Sequence, residues 1–330
     1  MRSTTEPRID GELDEPMWEQ AARLTGFSQL LPVDGRPADD STEVFVWYSP
    51  TAIHFGIRAY EAHGVVRATL ADRDRIDAED HVQIILDTYL DRRRAFVFAV
   101  NALGVQADGT RGEGQQGGNT PRNGLGNSDL SSDFIFETKG KLTEWGYQVE
   151  VRIPFKTLRY AGTKWGLQFV RQVQHSGFQD TWAPVKRGAA SFLVQAGTLD
   201  GMRDMKRGLV LDLNPVVTNS VNGSPRGADG ASWGYANVPE IGGNVRWGLT
   251  SNLTMNATLN PDFSQVEADA QQVPNDIRFA VFFPERRPFF TDGIDLFQLP
   301  NQLVYTRRIV APSSALRLSG KIGHADLAVL

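Results

Sequence analysis

Asp80-His81-Val82-Gln83-Ile84-Ile85-Leu86-Asp87, followed after a short polar break by Arg94-Ala95-Phe96-Val97-Phe98-Ala99-Val100-Asn101, decides the fold class. Val82, Ile84 and Leu86 share one face of the first run, and Phe96, Phe98 and Val100 share one face of the second. Such alternation is the mark of a half-buried strand, because successive side chains leave opposite sides of the pleat. The period returns at residues 43–49, at Ile53, Phe55 and Ile57, at Tyr147, Val149, Val151 and Ile153, and at Trp165, Leu167 and Phe169. Tyr48-Ser49-Pro50-Thr51 and Ala102-Leu103-Gly104 supply turns between runs. One helix is predicted, over Met17 to Leu24, with Asp14 as cap and Pro16 in its first turn. Many short strands and one small helix predict an all-β chain with an N-terminal antiparallel, jelly-roll-like β-sandwich and no doubly wound sheet.

At 330 residues the chain suits two domains. With 41% hydrophobic and 22% charged residues it can fill a core. Its net charge of −5 comes with no basic stripe, so no nucleic-acid partner is expected. The absence of cysteine removes disulfides, thiolate metal sites and cysteine nucleophiles. The N-terminus, Met1-Arg2-Ser3-Thr4-Thr5-Glu6, lacks the apolar segment of a signal peptide. Alone this suggests a cytoplasmic protein; a signal removed, or lying upstream of a truncated start, is the alternative that the C-terminal half favours. Gly112-Glu113-Gly114-Gln115-Gln116-Gly117 formally matches a dinucleotide fingerprint, but no apolar strand leads into a helix there. Residues 109–132 read as a loop.

The composition changes near Gly208. Leu209, Leu211 and Leu213 alternate, and residues 242–260 read as two longer strands joined around Thr250-Ser251-Asn252. Val245, Trp247, Leu249, Leu253 and Met255 interleave with Arg246, Gly248, Ser251 and Thr254. That register suits transmembrane β-strands of roughly 9–11 residues. A soluble hairpin explains the alternation equally well.

The string Arg8-Ile9-Asp10-Gly11-Glu12-Leu13-Asp14-Glu15-Pro16-Met17-Trp18 resembles the opening of domains related to family nine carbohydrate-binding modules. So do residues 42–60, 80–87 and 146–155, which places the resembling domain at 8–200. Asn260-Pro261-Asp262-Phe263-Ser264-Gln265-Val266-Glu267-Ala268-Asp269, Phe282-Phe283-Pro284-Glu285-Arg286-Arg287-Pro288-Phe289-Phe290 and Tyr305-Thr306-Arg307-Arg308-Ile309 resemble a second family. That family, of unknown function and numbered 5916, follows such modules in bacterial outer-membrane proteins. The resemblance implies that 208–330 hold the first strands of a C-terminal β-barrel-like domain. Because the chain ends within a strand-like run, and a barrel strand without a neighbour exposes unpaired backbone, a fragment of a longer protein is expected.

A sugar site needs aromatic faces for the ring and planar polar groups for its hydroxyls. Trp47, Trp145, Trp165 and Trp182 are candidate platforms, with Trp182 in the loop-like Asp180-Thr181-Trp182-Ala183-Pro184. Asp80, Gln83, Asn101, Arg171 and Gln172 are polar candidates. Trp47, Asp80, Asn101, Trp145, Arg171 and Trp182 form the expected ligand-binding set, although a tryptophan in a sandwich strand is more often core than platform. The resemblance also implies an arginine in the strand before Asn101, where this sequence has only apolar residues. Loss of that donor puts the family's usual sugar affinity in doubt.

Asp72, Asp74, Asp77, Glu79, Asp80, Asp87 and Asp91 form an acidic cluster. The resemblance implies calcium as a structural ion, whereas the interleaved Arg73 and Arg75 suit a self-neutralising turn. No catalytic site is legible. Glu137, Glu144 and Glu150 form no marked pair for glycoside hydrolysis, Glu150 reading as outward-facing. His54, His63, His81, His175 and His324 show no ligating spacing. Residues 279–290 and 305–308 read either as a plug in a barrel mouth, with arginines paired to Asp292, Asp295 or Glu285, or as a rigid aromatic loop.

The expected function is non-catalytic binding of a glycan or polysaccharide, linked to an outer-membrane β-domain of the cell envelope, in polysaccharide uptake or catabolism. The alternatives are an outer-membrane assembly protein whose sandwich binds protein, and an accessory domain of a glycoside hydrolase cleaving O-glycosyl bonds.

Overall fold

The computed structural model describes residues 6–61, 63–113, 125, 128–130, 132–226, 232–261, 285–291, 297, 304–310, 312–323 and 325–330. Part of the glycine-rich loop (114–117 of the fingerprint match), most of the 260–269 motif, residues 282–284, Asp292, Asp295 and His324 lie outside the described residues. The chain divides into two compact units, Met1–Gly208 and Leu209–Leu330.

The predicted alternation folds into two antiparallel sheets in the first unit. One joins β1 (Ala22–Leu24), β3 (Thr42–Tyr48), β4 (Ala52–Tyr60), β9 (Gly146–Pro154) and β8 (Glu137–Thr143), in that order. The other runs β2 (Ser28–Leu31), β11 (Phe178–Thr181), β10 (Trp165–Val173), β5 (His81–Asp87), β6 (Arg94–Asn101) and β7 (Gln106–Gly112). A short strand, β12 (Gly197–Leu199), also pairs with β10. Val44, Phe55, Ile57, Val149 and Val151 from the first sheet meet Val82, Ile84, Phe98, Leu167 and Phe169 from the second in one buried core. The apolar faces read from the sequence are therefore the faces that pack. Sheet on sheet is the sandwich solution to hiding them.

Two expectations are corrected. The helix, α1 (Pro16–Glu19), is one turn long, and its N-cap position is Glu15, not Asp14. Ala22–Leu24 instead pairs with Val46, Phe45 and Val44, since an open sheet edge offers backbone partners that an isolated second helical turn does not. Glu150 points away from the main core, as alternation requires, yet it is fully buried. The N-terminal segment covers it, and the backbone N–H groups of Asp10 and Gly11 donate to its Oε2 at 2.8 and 2.7 Å. Gly11 holds φ +89° with Gly140 packed beneath it, so the Asp10-Gly11 step is a latch onto β8 and β9.

The second unit is one antiparallel meander: β13 (Leu211–Arg226), β14 (Ser232–Gly248), β15 (Leu253–Leu259), β16 (Ser314–Ile322) and β17 (Ala325–Val329). Among the described residues the sheet is open, with β13 and β17 at its edges. β13 and β14 reach 16 and 17 residues, well beyond the strands legible in the sequence. Pro215, Pro225, Gly234 and Pro239 sit inside them and mask their pattern.

Candidate functional site

One end of the sandwich gathers polar and aromatic side chains from both sheets. The end of β4 brings Tyr60 and Glu61, the β8–β9 turn Trp145, the β10–β11 turn Gln174 and His175, and the approaches to β3 and β5 Asp40 and Asp80. Register makes this inevitable: the ends of β4 and β10 and the starts of β3, β5 and β9 all lie at the same end of the sandwich.

Buried Arg171 is the strut between the sheets here. Its guanidinium donates to Ser41 O at 2.9 Å, Thr42 Oγ1 at 3.0 Å and Tyr60 O at 2.6 Å, and Glu61 Oε2 lies 3.8 Å away. Asp80 is equally committed, accepting from Arg67 N at 2.5 Å and Gln174 N at 2.9 Å. Asn101 donates to Thr69 O at 2.9 Å and Glu79 Oε2 at 2.5 Å, and its Oδ1 accepts from Leu103 N and Val105 N. These three buried residues fix loops. Trp145 differs: it is partly exposed and tilts at 4.8 Å against Tyr60, while its carbonyl accepts from Glu61 N at 2.9 Å. Beyond this pair His63 and His175 meet edge to face at 4.9 Å, and His175 Nδ1 lies 3.5 Å from Glu61 Oε2.

The other tryptophans lie elsewhere. Trp47 is buried in a small cluster with Leu13 and Trp18 beneath the N-terminal segment, stacked at 4.0 Å on His54. Burial pushes that histidine down to about 3, so it is neutral. Trp182 packs edge-on at 6.2 Å against Phe169, and Trp165 is core. Of the six expected ligand residues, then, Asp80, Asn101, Trp145 and Arg171 lie toward the same end, while Trp47 and Trp182 do not.

The outer face of the second sheet holds Ala99, next but one to Asn101, within an apolar cluster of Ile85, Val97, Ala107 and Val170, roofed by Ile76, Leu125 and Leu193. Where the resemblance implies an arginine, this chain packs carbon. Gln83 and Gln172 lie on that face in internal bonds: Gln179 Nε2 donates to Gln172 Oε1 at 2.9 Å, and Gln83 Nε2 lies 3.3 Å from His81 Nε2.

Several carboxylates of the acidic cluster are hydrogen-bonded within the protein. Asp74 accepts from Asp108 N and Asp77 from Leu125 N, Arg73 pairs with Asp108, and Asp87 accepts from Tyr89 N and Arg92 N. Asp40, Glu61, His63 and His175 carry no local motif, because turns from distant parts of the chain assemble them. A turn signal, Gln174-His175-Ser176-Gly177, was the one available pointer.

In the second unit a different arrangement is visible. Leu213, Val217, Val221, Tyr235, Ile241 and Leu316 stand exposed on one face. On the other face Thr254, Asn256, Thr258, Arg317 and Ser319 are buried. Above that polar face sits α2 (Pro288–Thr291) with the short turn at Thr306–Arg308. Arg317 lies over the Phe289 ring at 5.3 Å. Arg287 donates to Glu285 Oε2 at 2.7 Å, Thr306 O at 2.9 Å and Ile309 O at 2.6 Å. The expected pairing of this arginine-rich segment with Glu285 is present.

Residues 209–320 match a family described as a domain of unknown function (DUF5916). No curated protein matches the chain. Among solved structures, a family 9 carbohydrate-binding module from Caldicellulosiruptor kristjanssonii in complex with cellotriose is 19% identical, with a TM-score of 0.42, covering 62% of this chain and 96% of that one. Its complex with glucose gives the same identity and TM-score over 62% and 98%. A putative carbohydrate-binding protein from Bacteroides uniformis is 13% identical, with a TM-score of 0.42, over 55% and 87%.

Proposed function

We propose that the first unit is a non-catalytic glycan-binding sandwich carried on an outer-membrane β-domain, acting at the cell envelope in polysaccharide uptake or breakdown. One observation carries the membrane half of this reading. The second unit is inverted relative to a water-soluble sheet, with Val217 74% and Ile241 75% exposed while Thr254 and Arg317 are each 1% exposed. A soluble sheet hides the apolar side; a lipid-bathed wall faces it outward and keeps a polar interior.

The glycan half rests on the Trp145–Tyr60 platform, an aromatic face beside carboxylate and imidazole groups, and on the resemblance of residues 8–200 to family nine modules. Binding of the full chain to an array of plant and bacterial glycans, repeated with Trp145→Ala, tests it. Retention of a glycan that drops at least tenfold in the variant is expected.

A second reading has its own support. Asp80, Asn101 and Arg171 are spent internally and the Ala99 face is filled with carbon, so the sandwich has room for a protein-binding assembly role. An array that retains no glycan, with the membrane partition intact, leaves that reading. Release of reducing ends from polysaccharide by the chain would instead favour a hydrolase accessory role.

A further inference from the structure

We propose that Asp40, Glu61 and His175 hold a divalent transition-metal ion of the zinc or manganese type at the polar end of the sandwich. One donor atom from each lies within 4.8 Å of the others. The three come from separate places: Asp40 precedes β3, Glu61 follows β4, and His175 belongs to the turn between β10 and β11. An ion here therefore ties the end of one sheet to a hairpin of the other.

The donor set chooses the metal. Two carboxylate oxygens and an imidazole nitrogen suit a borderline ion, whereas calcium prefers six to eight oxygens. Ligands at roughly 2.1 Å in a tetrahedron stand about 3.4 Å apart. His175 Nδ1 and Glu61 Oε2 are already 3.5 Å apart, and His175, the exposed member, can rotate to close the remaining gap. His63, ring against ring with His175 at 4.9 Å, is placed to orient that imidazole or to join it.

A second, independent feature is the charge balance. Asp180, only 2% exposed, has an Oδ1 with no hydrogen-bond partner. It faces Arg171 across the β10–β11 register. Glu61, 3.8 Å from the Arg171 guanidinium, and Asp180, opposite Arg171 in the strand register, thus share that one buried cation, and a divalent ion on Glu61 would ease the balance.

The test uses the full chain stripped with a chelator and titrated calorimetrically with ZnCl2, MnCl2 and CaCl2, with metal content read by mass spectrometry after dialysis. One Zn2+ or Mn2+ per chain is expected, together with a rise in Tm. The affinity should fall at least tenfold in His175→Ala, whose site is at the surface, and in the near-isosteric Glu61→Gln. Far-UV circular dichroism checks that both variants fold. Unchanged affinity in folded His175→Ala, binding of Ca2+ alone, or no binding below millimolar concentration would each overturn the proposal. Because metal is read directly, the result stands apart from whether a glycan binds.

Discussion

Ile241→Lys separates a lipid-facing sheet from a water-facing one. Ile241 pairs with Val217 across β13 and β14, and both are about three-quarters exposed. In water a lysine at such a position costs within about 0.5 kcal/mol, because it leaves no cavity and strands no buried partner. At the midplane of a bilayer the same ammonium costs roughly 2–4 kcal/mol, which is roughly a 30- to 900-fold loss in the folding equilibrium. Since cross-strand partners share one depth, Val217→Lys should cost the same as Ile241→Lys. Leu142, exposed on the β8–β9 hairpin of the sandwich, supplies the control: Leu142→Lys should be neutral. The measurement is guanidinium unfolding of the full chain reconstituted in phosphatidylcholine vesicles, followed by tryptophan fluorescence. If both β13–β14 variants stay within about 0.5 kcal/mol of the parent in vesicles, or the chain fails to partition into lipid at all, the outward apolar face is not a membrane face.

Burial raises the Glu150 carboxyl to about 7, although the N–H groups of Gly11 and Asp10 pull it down. A folded pKa above the unfolded value favours the protonated form, so this contribution is complete below the ordinary 4.5 and is lost as pH rises through about 7. Glu150→Gln should therefore gain on the order of 1–3 kcal/mol over the parent at pH 8 and almost nothing at pH 4, read from urea midpoints at the two pH values. A Cβ on Gly104 would sit 2.7 Å from the backbone nitrogen of Gly140, at a φ of +88°. Gly104→Ala should thus lower stability by about 2 kcal/mol or more, seen as a fall in Tm. Arg287→Ala removes the buried ion pair from Glu285 and takes one donor each from the carbonyls of Thr306 and Ile309. A loss of about 3–5 kcal/mol in chemical unfolding is expected, with faster trypsin cleavage at Arg307 and Arg308.

The sequence by itself determined the alternation. Val82, Ile84 and Leu86, like Ile53, Phe55 and Ile57, must share a face because the strand period is two, and apolar faces of that kind must find each other. It also marked a change of composition near Gly208. It could not determine the length of β13 and β14, whose prolines and glycines read as loop until sixteen register pairs held them in a ladder. Nor could it say which tryptophan is open: Trp47 and Trp145 both lie at strand ends, and only the N-terminal segment folding over Trp47 distinguishes them. Asp40, Glu61 and His175 meet through sheet pairing and packing, long-range effects without a local motif. Which side of the sheet in the second unit is left exposed was likewise a tertiary decision, made when residues 285–291 and 304–310 settled onto its polar face.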